Sequence, residues 1–169
     1  INRGKKNIKS FETIDFNKVH FSYSNEKNLS NLNFSIKKNT TTGIVGLSGS
    51  GKSSLIYLLT KLLRPSSGKI LMDNIDYEKI NNLSLRNLFG YISQEVSLFH
   101  GTIEDNISLY ENKKKTLQYK RKISDAMNKA GCSELIDRLD EFIGDSVKTL
   151  SGGQRQRVAI ARELFRNTK

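Results

Sequence analysis

The chain has 169 residues, of which 36% are hydrophobic and 27% charged, and a formal net charge of +11. These values suit one globular domain with a real core and exclude a disordered chain. Its longest apolar runs fall far short of the roughly 18 to 20 residues that a bilayer span needs, and its start lacks the apolar core of a signal peptide. The single cysteine, Cys132, excludes an internal disulfide and a cysteine-rich metal site. We therefore expect a cytosolic setting.

The basic charge is spread along the chain, with one dense run at residues 112–122, "NKKKTLQYKRK". Basic proteins often bind nucleic acid, anionic membrane surfaces or phosphorylated ligands. A short run of like charge is usually a solvated face of a helix or loop. We interpret this run in that way, with a phosphate-binding patch as the alternative.

In chain order, the polar and basic residues 1–10 predict a linker or arm. Apolar and polar residues then alternate from Val19 to Tyr23 and from Leu32 to Ile36, which predicts an antiparallel hairpin or meander. A short apolar run at Ile44 and Val45 predicts a strand that leads into a glycine-rich loop.

From Leu55 onward, the sequence pattern is mainly helical. Apolar residues at helical spacing from Leu55 to Leu63 predict a helix that Pro65 ends, and residues 67–74 and 91–93 predict two short strands. Helical patterns follow between residues 102 and 139, with Gly131 able to cap the first of them. A last helix is predicted at residues 153–165, with one apolar face formed by Val158, Ala161, Leu164 and Phe165.

The segment Gly46 to Ser53, "GLSGSGKS", matches the pattern G-x-x-x-x-G-K-[ST] between a predicted strand and a predicted helix. Its glycines let successive N–H groups converge on one concavity, and the helix N-terminus adds partial positive charge, so the loop predicts a phosphate site. Lys52 supplies a charge for the terminal phosphates, and the Ser53 hydroxyl is placed to ligate Mg²⁺. A Gly/Ser-rich turn that merely starts a helix is the alternative. The residues expected to bind are Gly46, Ser48, Gly49, Ser50, Gly51, Lys52, Ser53 and Ser54.

Four further stretches accompany this loop: "VHFSY" with Tyr23, "YISQE" with Gln94, "SLFHGTIEDNI", and "LSGGQ" from Leu150 to Gln154. Together they resemble the ATP-binding cassette family, the nucleotide-binding domains of ABC transporters, over nearly the whole chain from Phe11. The resemblance implies an α/β fold: a P-loop NTPase core with an N-terminal antiparallel β-subdomain and a helical subdomain. We place the arm at residues 1–10, the β-subdomain and P-loop core at 11–98, and the helical subdomain with the signature turn and its helix at 99–165.

The resemblance also implies roles for single residues. Tyr23 would stack on the adenine of ATP, and Gln94 would end a strand, touch Mg²⁺ and the attacking water, and signal to a membrane domain. Lys52 and Gln94 are thus the expected catalytic residues, and Ser53 and Gln94 the expected metal ligands. The signature turn would close on the γ-phosphate of ATP held by a second copy; its expected contacts are Ser151, Gly152, Gly153 and Gln154.

Each of these residues also has a plainer interpretation. Tyr23 alternates as a strand residue would, Gln94 could be a polar residue at a strand end, and Ser151 could simply cap the last helix. Asn39 and Asn74 stand where the family usually has turn glycines, and asparagine tolerates positive φ well. Val147 replaces the second glycine of a family pattern before the signature.

The family's next elements are an apolar strand ending in an aspartate and a catalytic glutamate, and then a histidine, and none of them is in this sequence. We therefore expect the fold to be incomplete at its C-terminus, with an unpaired edge beside the P-loop strand. We also expect these 169 residues to bind ATP but to hydrolyse it poorly.

The leading hypothesis is the ATP-hydrolysing motor domain of an exporter-type ABC transporter, since "SLFHGTIEDNI" is similar to exporter-type cassettes. It implies ATP and Mg²⁺ as cofactors, a second nucleotide-binding domain in a head-to-tail dimer and a transmembrane domain as partners, and a place at the cytoplasmic face of the inner or plasma membrane. A nucleotide-binding module without hydrolysis is one alternative. A DNA-associated ABC ATPase is another, but the compact spacing between P-loop and signature favours a chain with no nucleic-acid partner.

Overall fold

The computed structural model describes residues 4–23, 29–110, 116–143 and 150–167. The chain divides into two compact units, Ile1–Phe89 and Gly90–Lys169. This division falls earlier than the domain limit predicted at residue 98, which stays a prediction. Val147 and the run at residues 112–115 lie outside the described residues.

The first unit contains one antiparallel sheet with the strand order β2-β1-β3-β4. Within the described ranges the strands are β1 (Thr13–Phe21), β2 (Leu29–Lys37), β3 (Ser67–Met72), β4 (Ile75–Asp76), β5 (Gly101–Thr102) and β6 (Phe142–Ile143). The predicted hairpin is confirmed, because Ile14 pairs with Ile36 and Phe16 with Phe34. In the second unit, β5 and β6 form a separate antiparallel pair.

Of the α-helices in the described ranges, the first two belong to the first unit and the other three to the second. They are α1 (Lys52–Leu59), α2 (Asn82–Arg86), α3 (Ile103–Ser108), α4 (Leu117–Ala130) and α5 (Gly152–Phe165), with 3₁₀ helices at Tyr77–Lys79 and Ser133–Arg138. Gly131 ends α4 in the left-handed region at φ 71°, as predicted, because a residue without Cβ is unstrained there. In the part of the chain that the structure describes, no helix combines the length and the apolar character of a membrane span.

The core of the first unit lies on one face of the sheet. Ile14 and Phe16 on β1 and Ile70 and Met72 on β3 are buried, because alternate residues of a strand point to the same face. Leu58 of α1 belongs to the same apolar cluster, so the sheet and the first helix share one core.

The second unit has its own core between α3, α4 and α5, and Val158, Ala161 and Phe165 of α5 are buried in it. Leu164 was predicted on this face but is 41% exposed. With 3.6 residues per turn, Leu164 lies about 100° around the helix from Phe165, which turns it away from the core.

Two predicted strands are not formed. Residues 40–47 and 90–93 are assigned to no strand, although each has an apolar pattern. A strand needs a neighbour for its backbone hydrogen bonds, and no strand pairs with either segment among the described residues. Val45 is accordingly 95% exposed.

Helix α1 ends before Pro65, at Leu59. The Thr60 hydroxyl donates to the carbonyl of Ile56, and Lys61 turns the chain out of the helix at φ 56°. The Lys61 ammonium is buried and donates to the carbonyls of Tyr77 and Ile80. Burial is the main cause that lowers the pKa of Lys61. The Lys61 ammonium thus anchors the chain inside the unit just after α1 ends.

A two-residue turn joins β3 to β4, with Asp73 at φ 48° and Asn74 at φ 63°. Positive φ at both positions is the backbone of a type I′ hairpin turn, whose twist matches that of the strands. The Asp73 carboxylate accepts hydrogen bonds from the backbone amides of Glu12 and Thr13, at 2.9 and 2.8 Å from Oδ1. The turn is therefore tied to the start of β1.

We expect Asn74→Ala to lower the free energy of unfolding by about 1 kcal/mol, because alanine is strained in the left-handed region and lacks the polar side chain with which asparagine can hydrogen-bond locally there. Asn74→Gly should stay within about 0.5 kcal/mol of wild type, since glycine is unstrained there. Urea unfolding followed by circular dichroism measures both. Equal stabilities of the two variants would contradict the assignment of this turn.

Candidate nucleotide-binding site

The P-loop, residues 46–53, leads into α1 through left-handed glycines. Gly49 has φ 78°, and Gly51, which is the N-cap of α1, has φ 91°. The amide of Ser50 donates to the carbonyl of Leu47 at 3.2 Å and closes a turn. A Cβ at Gly46 would lie 2.6 Å from Ser50 Oγ. The loop thus favours glycine for its backbone conformation at Gly49 and Gly51, whereas a Cβ at Gly46 would have to displace the Ser50 hydroxyl.

The Lys52 ammonium lies against the loop backbone. Its Nζ donates to the carbonyls of Gly46 and Leu47 at 2.9 and 2.6 Å, and Ser50 Oγ is 3.4 Å away. Two neutral carbonyls compensate a full positive charge only in part, so a multiply charged anion would be a stronger partner for the ammonium. The Lys52 ammonium therefore lies beside a loop whose backbone N–H groups can also bind an anion.

Tyr23 lies beside the helix that follows the loop. The hydroxyl of Ser54, which is buried, donates to Tyr23 Oη at 3.4 Å. The Tyr23 ring also packs edge-to-face on Phe21, with ring centroids 4.8 Å apart, and yet stays 62% exposed. The first unit therefore brings the predicted aromatic residue next to the predicted phosphate loop and leaves ring surface open. Ser48 and Ser53 are exposed in the same loop and helix start.

Gln94 belongs to the second unit and lies on an exposed segment. The expectation that Gln94 ends a strand is wrong, because no strand is assigned at residues 91–93. No strand in the described ranges pairs with this segment. Its role as a ligand or catalytic residue stays a prediction.

The signature turn begins α5 with a reciprocal cap. Ser151 Oγ accepts from the amide of Gln154 at 3.2 Å, and Gln154 Oε1 accepts from the amide of Ser151 at 3.0 Å. The Ser151 hydroxyl acts as an acceptor in this cap, so its own proton remains to donate. A Cβ at Gly152 would meet nothing within 4 Å. The first turn of α5 therefore presents N–H groups and one hydroxyl at an open position.

A carboxylate that the sequence did not single out braces this turn. Arg157 Nη2 lies 3.2 Å from Glu134 Oε1. A hydrogen bond from its own backbone amide lowers the pKa of Glu134 most, and hydrogen bonds from Arg157 and Gln154 lower it further. Glu134 and Arg157 are 23 positions apart, and only the fold brings them together. Asn106 and Arg162, in the same unit, form a second contact between residues that are far apart in the sequence.

Potential metal ligands are not clustered in the part of the chain that the structure describes. No group of three or more His, Cys, Asp or Glu residues within the described ranges could hold a metal ion. The Ser53 hydroxyl, at the start of α1, and the Gln94 amide are oxygen donors. Mg²⁺ typically takes one or two protein oxygens and completes its shell with substrate phosphates and water. Ser53 next to a phosphate loop therefore fits Mg²⁺ in the presence of a nucleotide.

Comparison with known sequences finds one family model, described as ABC transporter, which matches residues 29–169. An ATP-dependent lipid A-core flippase of Coxiella burnetii is 41% identical over 98% of this chain and 29% of its own length. A putative export ATP-binding/permease protein of Rickettsia typhi is 39% identical over 93% of this chain and 28% of its own length. The chain thus spans less than a third of these relatives.

A solved structure supports the same relationship. The structure described as a bacterial Atm1-family ABC exporter with ATP bound has a TM-score of 0.85 and 31% sequence identity, over 98% of this chain and 29% of that one. The predicted fold class is confirmed by this match, including the antiparallel β-subdomain.

We expect Ser151→Ala to lower the free energy of unfolding by about 1 kcal/mol, because the mutation removes the N-cap of α5. Ser151→Asp should retain most of the stability, since a carboxylate also accepts from the Gln154 amide and favours a helix N-terminus. Urea unfolding of the purified chain measures both. Equal losses in the two variants would show that the cap does not stabilise α5.

Proposed function

Because the chain belongs to the ABC transporter family, we propose that it is the ATP-binding and ATP-hydrolysing domain of an exporter-type transporter. The observation that carries this proposal is the arrangement of the first unit, where Lys52 contacts the P-loop backbone and Tyr23 contacts Ser54 in the first turn of α1. ATP carries a polyanionic triphosphate at one end and a flat adenine ring at the other. The triphosphate suits Lys52 and the P-loop, and the ring suits Tyr23.

The phosphates would bind in the P-loop. The start of α1 has no side-chain cap, because Gly51 is its N-cap, and its first N–H groups are therefore not used within the helix. Together with the helix dipole they favour an anion. The Lys52 ammonium would leave the carbonyls of Gly46 and Leu47 for the β- and γ-phosphates, and Ser48, Ser50 and Ser54 are further polar contacts in reach of the loop.

Adenine would stack on Tyr23. The ring is perpendicular to that of Phe21, its hydroxyl contacts Ser54, and the residue is 62% exposed, so ring surface is available to a flat partner. Stacking on an aromatic ring is tolerant of the exact base, so Tyr23 contributes affinity more than discrimination between nucleotides.

Mg²⁺ would bind to the Ser53 hydroxyl and the Gln94 amide oxygen. The ion neutralises charge on the terminal phosphates when it is bound. On the side of the protein, Lys52 would hold the γ-phosphate, and Gln94 would orient the attacking water with its amide. These are the two residues that we propose as catalytic.

The signature turn would complete the site of a second copy. Its open N–H groups at Gly152 and Gly153 and its hydroxyl at Ser151 suit a γ-phosphate, and Gln154 holds the turn in shape through the cap. We propose that two domains close head to tail around two ATP molecules and drive a membrane domain at the cytoplasmic face of the inner or plasma membrane. The relatives named as a lipid A-core flippase and a putative export ATP-binding/permease protein support an exporter.

Removal of the Lys52 ammonium tests the phosphate site. Lys52→Ala should weaken ATP binding by at least about tenfold, since a charged hydrogen bond is worth on the order of 1.5–3 kcal/mol. Isothermal titration of the purified chain measures the affinity. Lys38→Ala is the matched control, because Lys38 is a lysine of the same unit that pairs with Glu12 at 2.8 Å. Equal affinities of the two variants would sink the proposed site. Phosphate release by the full-length gene product then decides between a hydrolysing domain and a module that only binds.

Tyr23→Ala should weaken ATP binding by about tenfold, since stacking of a base contributes on the order of 1–3 kcal/mol. Tyr23→Phe keeps the ring and should bind within about twofold of wild type, because the Ser54 contact at 3.4 Å is weak. The same titration checks both variants. A phenylalanine variant as weak as the alanine variant would show that the hydroxyl, and not the ring, binds the nucleotide.

A further inference from the structure

Arg162, on the buried side of α5, reaches across to the segment that follows Gln94. Its Nε donates to the carbonyl of Asn106 at 2.7 Å, its Nη2 to Asn106 Oδ1 at 3.0 Å, and its Nη1 to the carbonyl of Ser97 at 3.4 Å. The guanidinium also lies over the ring of Phe99, 5.3 Å from its centroid. One side chain of the signature helix therefore holds residues at both ends of the segment 97–106.

Asn106 holds the same segment from inside. Its side chain is fully buried, and its amide uses all four hydrogen bonds that an asparagine can make. Oδ1 accepts from the amide of Phe99 and from Arg162, and Nδ2 donates to the carbonyls of Phe99 and Thr102 at 2.9 and 3.1 Å. If the amide were flipped, Oδ1 would face the carbonyl oxygens of Phe99 and Thr102 and could not bond to either. Its orientation is therefore fixed, and with it the position of Arg162.

These contacts connect two parts of the proposed catalytic apparatus. Ser97 is three residues after Gln94, and Arg162 lies on the helix whose first turn carries Ser151. We propose that Arg162 and Asn106 are positioning residues, which hold the segment 97–106, and through it the adjoining Gln94, in a fixed place relative to the signature helix. This inference rests on the proposed function for its effect on turnover, but not for its effect on structure.

The Arg162 guanidinium is partly buried, unlike the cation of an ordinary surface contact. Burial lowers the pKa of Arg162, which shows that its charge is partly removed from water. A partly buried cation needs hydrogen bonds to be stable, and here the acceptors come almost entirely from the segment 97–106. A shift of that segment would leave the cation short of acceptors, so the two elements should move together or not at all.

A distance measurement in solution tests the connection directly. Spin labels at Glu95→Cys and Arg155→Cys, both at exposed positions of the second unit, report on the two elements, with the fully buried Cys132 replaced by alanine throughout. We expect one narrow distance distribution for the otherwise unchanged chain and a clearly broader one for Arg162→Met and for Asn106→Ala. The matched control is Arg166→Met, because Arg166 pairs only along its own helix, with Glu163 at 2.7 Å. It should leave the distribution narrow.

The same variants in the full-length gene product test the effect on catalysis. We expect Arg162→Met to lower kcat by at least about tenfold, as small displacements of catalytic groups do, while KM for ATP stays within about twofold, because the P-loop and Tyr23 lie in the other unit. A purely structural role would instead reduce the amount of folded protein and leave kcat per folded molecule unchanged. Arg162→Lys keeps the charge without the planar fork and should lie between Arg162→Met and wild type.

A distribution as narrow in Arg162→Met as in wild type would overturn the inference, and so would an unchanged kcat. If Arg162→Met fails to fold, Arg162→Lys decides by the same criteria. The distance measurement needs no nucleotide. A wild-type chain that shows no ATP binding would therefore sink the proposed function and leave the positioning result standing.

Discussion

The unpaired N–H groups at the start of a helix are the constraint on which both proposed phosphate sites depend. Helix α1 begins at a glycine that has no side chain to cap it, so its first N–H groups stay available to a ligand. Helix α5 begins at Ser151, whose hydroxyl takes the Gln154 amide and leaves those of Gly152 and Gly153 open. The first end has a strong demand for an anion, and the second is already partly satisfied. This difference suits a loop that holds ATP and a turn that only closes on it.

Near its C-terminal end, each of these two helices is held by a buried polar contact. In the first unit, the Lys61 ammonium, just after the end of α1, donates to the carbonyls of Tyr77 and Ile80 and ties this end of α1 to the 3₁₀ helix at Tyr77–Lys79. In the second unit, the Asn106 and Arg162 contacts fix α5 against the segment 97–106. Such groups must keep their partners, because an unpaired polar group in a low-dielectric interior is costly. These contacts therefore resist a shift of α1 and of α5, each within its own unit.

The sequence predicts those features that depend on residues near one another in the chain. The hairpin of β1 and β2 follows from alternation, the end of α4 from Gly131, and the left-handed turns at Asn39 and Asn74 from the tolerance of asparagine for positive φ. Features that need a distant partner were missed or wrong. The apolar run at Ile44 and Val45 predicts a strand, but a strand exists only where a neighbour supplies its hydrogen bonds. The link between Asn106 and Arg162 spans 56 positions and has no local signal.

Most of the arginines along α5 make contacts within the fold. Four arginines lie on or at the end of this helix. Three of them have partners in the same unit: Arg157 pairs with Glu134, Arg162 with Asn106, and Arg166 with Glu163. A surface that binds a phosphate backbone needs cations that face outward and are free to neutralise phosphates. On α5 most of the cations instead serve to hold the helix, and so the signature turn, in its place.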